Sequence, residues 1–242
     1  MVGIFFELGS VSAMECVANS GMDFAIIDTE HGYFTEETVM QLIVAAENGG
    51  LLPYVRIGDI RRPYVLRMLD IGARGLVVPN ITDISQVKEL VRHAKFKPIG
   101  NRGYCPSRTS AWGAQKWAQD VDAYMEECNR RVRLFPQCET REALEQIEDI
   151  AALEGVDGIF VGPCDLSISL GVPLQFDSPV MTAAMERILK ACQANGKEAM
   201  FFAGSIENGR KWLARGFQSV AYGVDATIFV EALHNITEQL KA

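Results

Sequence analysis

Short runs of apolar residues recur along the chain, and most are followed by a longer stretch with helical spacing of its apolar positions. Val2–Leu8 is such a run, ending at Gly9-Ser10, and Ser12–Ser20 reads as the helix after it. Asp23–Asp28, Leu52–Ile57 and Gly75–Pro79 read as the next three strands. Glu36–Asn48, a helix opened by Pro63 that runs to Asp70, and Ser85–Lys95 read as the helices between and after them. Proline fits the first turn of a helix because its missing N–H has no partner to lose there. Val132–Gln137, Gly158–Gly162, Glu198–Phe202 and Ser219–Gly223 complete a set of eight strands. Their helices are Arg141–Leu153, a segment ending near Asn195, Ile206–Arg215 and Ala226–Leu240.

The strands are continuous apolar runs rather than alternating ones, as a parallel sheet covered by helices requires. Eight strands, each followed by a helix, predict an α/β fold of the (β/α)8 TIM-barrel type. The length of 242 residues is close to the roughly 250 typical of one such barrel. An open doubly wound sheet is the competing fold. It usually carries a glycine-rich first turn, and Leu8-Gly9-Ser10-Val11 has no G-x-G-x-x-G. No linker or low-complexity tract divides the chain, so a single domain over 1–242 is expected. Pro98–Arg130 breaks the rhythm, and an excursion this long reads as a lid or a subunit contact.

Composition narrows the function classes. Hydrophobic residues make up 48% of the chain and the formal net charge is −8. A basic footprint is missing, which argues against nucleic acid and anionic membrane as partners. No apolar run reaches the roughly 18 residues of a membrane span. No basic, cleavable leader precedes the first strand. The six cysteines are scattered, with no C-x-x-C spacing. Buried reduced thiols of a cytoplasmic protein are the expectation.

In a barrel the carboxyl ends of the strands gather on one face, where active sites form. Glu139 follows the fifth strand and Asp165 the sixth. Separately, Glu139 also reads as a charge at a helix N-terminus and Asp165 as a helix cap. Together they read as a two-carboxylate metal site. Such a set leaves an octahedral Mg²⁺ or Mn²⁺ four positions for water and a chelating substrate. Arg56 lies inside the apolar strand PYVRI. A buried guanidinium needs an anion, either a protein carboxylate or a substrate oxyanion, and the strand-end position favours the substrate. His31 follows the second strand, with Asp28 three residues earlier and Glu30 beside it. A carboxylate there could fix the ring for proton transfer, or His31 could simply pair with Glu30. His93 and His234 fall within helices and read as surface residues. Gly162-Pro163-Cys164-Asp165-Leu166 offers the N–H groups of Cys164 and Asp165 for a carboxylate.

These segments resemble the HpcH/HpaI family of metal-dependent, class II pyruvate aldolases. The markers are ELGS, DFAIIDTEHG, YVRIGD, LDIGARGLVVPN, IGNRGY, PQCETREAL, EGVDGIFVGPCDLSISLG and AYGVDATIF, in order along nearly the whole chain. The resemblance implies that Glu139 and Asp165 hold a divalent metal, Mg²⁺ or Mn²⁺ with Co²⁺ a further candidate. It implies that the metal chelates pyruvate, that Arg56 stabilises the enolate oxygen and that His31, paired with Asp28, moves the proton. Gln137, Cys164 and Asp165 would position pyruvate. The partners implied are a 2-oxo acid, an aldehyde and further copies of the chain. The family forms hexamers, trimers of dimers, with the last helix (about 226–240) swapped between subunits. Gly32-Tyr33 stands where the family often has Ala-Pro, and Cys138 and Cys164 where Ile and Ala are common.

The expected function is a carbon–carbon lyase. It would cleave a 4-hydroxy-2-oxo acid to pyruvate and an aldehyde and run the reverse addition. A Schiff-base route needs a pocket lysine, and the predicted strand interiors contain none. The alternatives are a citramalyl-type CoA-ester lyase, an oxaloacetate decarboxylase on the same site, and a binding protein for a metal–oxoacid complex.

Overall fold

Eight parallel strands close into a barrel, each hydrogen-bonded to its neighbours in sequence, with the last paired to the first. The structure is a computed structural model and describes residues 1–242. The strands are β1 (Val2–Phe6), β2 (Phe24–Asp28), β3 (Leu52–Arg56), β4 (Gly75–Val78), β5 (Arg133–Cys138), β6 (Gly158–Val161), β7 (Glu198–Ala203) and β8 (Ser219–Val224). The helices after β1 to β4 are α1 (Val11–Ala18), α2 (Glu36–Asn48), α3 (Arg62–Asp70) and α4 (Ile84–Ala94). After an excursion come α5 (Val121–Arg131), α6 (Arg141–Glu145), α7 (Ile147–Ala152), α8 (Pro163–Ser169), α9 (Pro179–Ala194), α10 (Ile206–Arg215) and α11 (Asp225–Lys241). The eight expected strands are all present, with ends shifted by one or two residues.

Alternate residues of a strand face opposite sides of the sheet, and this parity organises the barrel. One set packs outward into a core of 49 buried residues shared with the helices. The other set fills the barrel with Phe5, Phe24, Ile26, Tyr54, Val77, Phe135, Phe160, Met200 and Ala221. Below this layer Arg133 pairs with Glu198 at 2.6 Å, and the Ser219 hydroxyl also bonds Glu198. Two residues above it, on the carboxyl side, parity places Glu7, Asp28, Arg56 and Gln137. The aromatic layer is thus a dry floor under a polar mouth.

Three expectations are corrected. The predicted helix Arg141–Leu153 is two helices. Gln146 interrupts it at φ −108°, ψ 14°, because its side chain is drawn to Ile84 N–H and the Thr82 and Glu142 carbonyls. His93 is buried rather than superficial, with Nδ1 3.1 Å from the Ile60 carbonyl; α4 turns this position inward, next to Ala94. The excursion is not a lid. Arg108 bonds Glu47 at 2.6 Å, Arg102 bonds Asp70 at 2.7 Å and the Thr109 hydroxyl bonds the Leu69 carbonyl. These anchors are the carboxyl ends of α2 and α3, at the end of the barrel where strands begin. There the segment's Ala118, Tyr124 and Cys128 pack a small core with Phe96, which precedes it.

Candidate active site

A cavity of about 210 Å³ opens at the carboxyl ends of the strands, lined by residues of β1, β2, β3, β5, β6, β7 and β8 or the turns after them. Arg56, His31, Gln137, Cys164 and Asp165, all singled out from sequence, line it. Asp28 and Glu139 lie immediately behind, bonded to lining residues.

Asp28 and Arg56 are register partners on β2 and β3. Both point into the barrel, so the strand pairing itself builds their ion pair. Arg56 Nε donates to Asp28 Oδ1 at 2.9 Å and Nη2 to Oδ2 at 2.5 Å. Its Nη1 lies 3.3 Å from Glu30 Oε2, and the Phe5 ring lies 4.7 Å from its Cζ. Burial works against charge on Asp28, but the Arg56 hydrogen bonds and charge prevail and hold its carboxyl below the usual range. Three of the five guanidinium N–H groups are directed at these carboxylates, which leaves two for a ligand. The anion that Arg56 requires is therefore supplied by the protein, not left to substrate alone.

Asp28 is consequently not the side-chain partner of His31. It accepts from the backbone N–H of Glu30 at 3.0 Å and, weakly, of His31 at 3.5 Å. The His31 ring faces Glu30, with Nε2 3.9 Å from Oε2, and its side chain is 69% exposed. The expected Asp28–His31 pair is corrected to Glu30–His31, because Arg56 occupies Asp28 in the barrel while the chain after β2 turns His31 to the rim.

Across the cavity, Glu139 sits just beyond β5 and is buried. Asn80 donates its N–H to Oε1 at 2.6 Å, from a left-handed backbone conformation at φ 54°. Gln137 Nε2 donates to Oε2. Burial pushes the Glu139 carboxyl up, these two donors pull it down, and the nearby Asp165 and Glu30 charges push it up again, for a net rise. Asp165 lies in the first turn of α8, whose cap is Gly162, so it is not itself the cap. The first backbone bond of that helix is Leu166 N–H to Gly162 O at 3.0 Å. The N–H groups of Cys164 and Asp165 come before it. A methyl group at Gly162 would stand 2.7 Å from both Gln137 Nε2 and Glu139 Oε2. Only glycine lets the end of β6 pass so close to this carboxylate.

The residues fit a divalent ion with few protein ligands. Glu139 is a buried carboxylate without a cation, Asp165 is a second one nearby, and Gln137 Oε1 is buried without a donor. No group of three or more His, Cys, Asp or Glu side chains clusters tightly enough to hold a metal by itself. Most of a coordination shell would have to come from water and substrate, as the two-carboxylate reading requires.

One lining residue escaped the sequence reading. Glu7 leaves β1 into the cavity, and burial together with the neighbouring Asp28 pushes its carboxyl up. The signal was present, an acid closing an apolar strand in a barrel where strand ends form the site.

The sequence matches the HpcH/HpaI aldolase/citrate lyase family over residues 1–232. It is 35% identical over 234 residues to a 2-keto-3-deoxy-L-rhamnonate aldolase of Klebsiella pneumoniae subsp. pneumoniae, spanning 96% of this chain and 85% of that one. Among solved structures, the HpcH/HpaI aldolase of Desulfitobacterium hafniense DCB-2 superposes with a TM-score of 0.92 at 30% identity, over 99% of this chain and 92% of the other. The citrate synthase SbnG superposes with a TM-score of 0.88 at 31% identity, over 99% and 92%. The chain is a carbon–carbon lyase and belongs to the HpcH/HpaI aldolase/citrate lyase family.

Proposed function

We propose that this enzyme cleaves a 4-hydroxy-2-oxo acid to pyruvate and an aldehyde, and that Glu139 and Asp165 hold the divalent ion, Mg²⁺ or Mn²⁺, that the reaction uses. Bound there, the ion would supply Lewis-acid stabilisation of an enolate and a template for the 2-oxo acid. The observation that carries this reading is the buried Glu139 carboxylate, held by Asn80 and Gln137 and paired with no lysine or arginine.

The chain's own residues do the rest. Arg56 directs its two remaining N–H groups at the 2-oxo oxygen, where negative charge develops as the C3–C4 bond breaks. Because Asp28 and Glu30 fix the guanidinium beforehand, little reorganisation accompanies that step. The N–H groups of Cys164 and Asp165 receive the pyruvate carboxylate. Gln137 orients Glu139. His31, at the rim with Glu30, takes the proton of the 4-hydroxyl during cleavage and returns one during addition. Phe5, Phe160 and Phe202 exclude water from the apolar side of the cavity.

We also read the enzyme as a homo-oligomer, a hexamer built as a trimer of dimers, with α11 docked on a neighbouring subunit. Among the 17 residues of α11 only Asp225 is buried. Phe229, Val230, Leu233, Ile236 and Leu240 are exposed at helical spacing, an apolar stripe that a partner would cover. No helix of the protein is long and apolar enough to cross a membrane.

Pyruvate incubated with a panel of aldehydes, with adducts read by mass spectrometry, tests the reading. Adducts should form with Mg²⁺ or Mn²⁺ and vanish in EDTA and in Glu139→Gln. Adduct formation that persists in both refutes it.

A further inference from the structure

Glu7 is placed firmly, yet its carboxyl meets only another carboxyl, that of Asp28. The N–H groups of Glu7 and Leu8 donate to the Asp225 carboxylate at 2.8 and 3.1 Å, tying the end of β1 to the first turn of α11. The Glu7 side chain enters the cavity beside Arg56. No donor of the protein bonds its carboxylate. Arg56, the only arginine or lysine lining the cavity, is already engaged by Asp28 at 2.5 Å and Glu30 at 3.3 Å.

We propose that Glu7 is a specificity-determining residue, selecting an uncharged, hydroxylated aldehyde over one that carries a carboxylate. The inference rests on the aldolase reading above and names the class of its second substrate. Five carboxylates, those of Glu7, Asp28, Glu30, Glu139 and Asp165, surround one guanidinium. A divalent ion offsets part of that excess, and the carboxylate of pyruvate adds one negative charge back. No positive charge remains for a second substrate carboxylate, which would enter a region of like charge. A half-buried carboxylate without donors is costly to leave unpaired. Hydroxyl groups on the aldehyde would supply those donors, and a carboxylate cannot.

The test compares glyceraldehyde with succinic semialdehyde as acceptors for pyruvate, each measured as kcat/KM with Mg²⁺. The wild type should favour glyceraldehyde. Glu7→Gln removes the charge while keeping the side-chain shape. At the effective dielectric of a protein site, it should cut the glyceraldehyde-to-semialdehyde ratio by about tenfold. Glu7→Asp retains the charge and should retain the preference, which a merely structural role would not predict. A wild type that favours the semialdehyde, or a Glu7→Gln ratio within about threefold of wild type, overturns the inference. Deuterium uptake into the pyruvate methyl group by the wild type keeps the two readings apart. Uptake with unaltered selectivity removes the Glu7 role alone, whereas no uptake and no adduct removes the aldolase reading beneath it.

Discussion

Replacing Arg56 by alanine should damage both catalysis and folding, and the two losses can be read separately. The Asp28 side chain is fully buried and that of Arg56 is 12% exposed. Deleting the guanidinium leaves Asp28 as an unpaired buried charge, with Glu30 beside it. Breaking a buried pair this way typically costs about 3–5 kcal/mol. For a chain of this size that is a fall of roughly 6–20 °C in Tm. The catalytic loss comes from removing a fixed donor to a developing oxyanion, about 10²–10³ in kcat. Scanning calorimetry reports the first and deuterium uptake into pyruvate the second. A rate within about threefold of wild type would make Arg56 a structural residue only.

The pH dependence gives the sharper check, because its sign inverts. In the wild type burial opposes the Asp28 charge, but Arg56 prevails and holds the folded pKa below the unfolded value of about 3.9. The stabilisation is therefore present above that unfolded value and lost as pH falls through the folded one. In Arg56→Ala only the backbone N–H groups of Glu30 and His31 still oppose burial, so the folded pKa should rise above the unfolded value. Asp28 then stabilises the variant at low pH and the contribution disappears as pH rises through the raised pKa. Between pH 7.5 and pH 5, the Tm gap between wild type and variant should narrow. An equal gap at both pH values would refute the account of Asp28.

Three further outcomes are expected. Titration calorimetry with Mn²⁺ should show binding to the wild type and at least about tenfold weaker binding to Glu139→Gln or Asp165→Asn; equal affinities would move the metal elsewhere. His31→Ala should slow aldol cleavage by about 10²–10⁴ and oxaloacetate decarboxylation much less, since loss of CO₂ generates an enolate without removing a proton; equal losses in the two assays would deny His31 the proton-transfer role. Leu233→Asp, on the apolar stripe of α11, should lower the oligomeric mass seen by light scattering, and an unchanged mass would place the subunit contact elsewhere.

The barrel was legible because its signals are local and repeated. Each strand is a short apolar run closed by Gly, Pro or a charged residue, and eight of them admit few topologies. The site was legible as far as strand parity reaches. Asp28, Arg56, Gln137 and Glu139 each lie two or four residues beyond a barrel-filling residue, so their convergence follows from the β period. What parity cannot give is the choice of partner across strands. Asp28 was assigned to His31, its neighbour in sequence, whereas the β2–β3 register places Arg56 opposite it. Local nearness lost to a cross-strand pair because both of those side chains point inward and His31 does not. The lid reading of the excursion at Pro98–Arg130 fails for a related reason. Its length marked it, but only its position between a helix and the next strand fixes which end of the barrel it covers.

The same parity explains why the cavity exists. Two residues above the floor, β1, β2, β3 and β5 present Glu7, Asp28, Arg56 and Gln137. The corresponding positions on β4, β6 and β7 are Pro79, Gly162 and Phe202, and a register shift on β8 brings Val224 to the cavity. Charge and hydrogen-bonding capacity at this level thus come from β1, β2, β3 and β5, and space from β6. Gly162 leaves volume that any side chain would fill, and a single methyl group there would press on Glu139. Gly162→Ala adds no charge and deletes no ligand, yet it would displace the carboxylate on which the metal reading depends. Function in this barrel therefore rests as much on one missing side chain as on the ionisable ones around it.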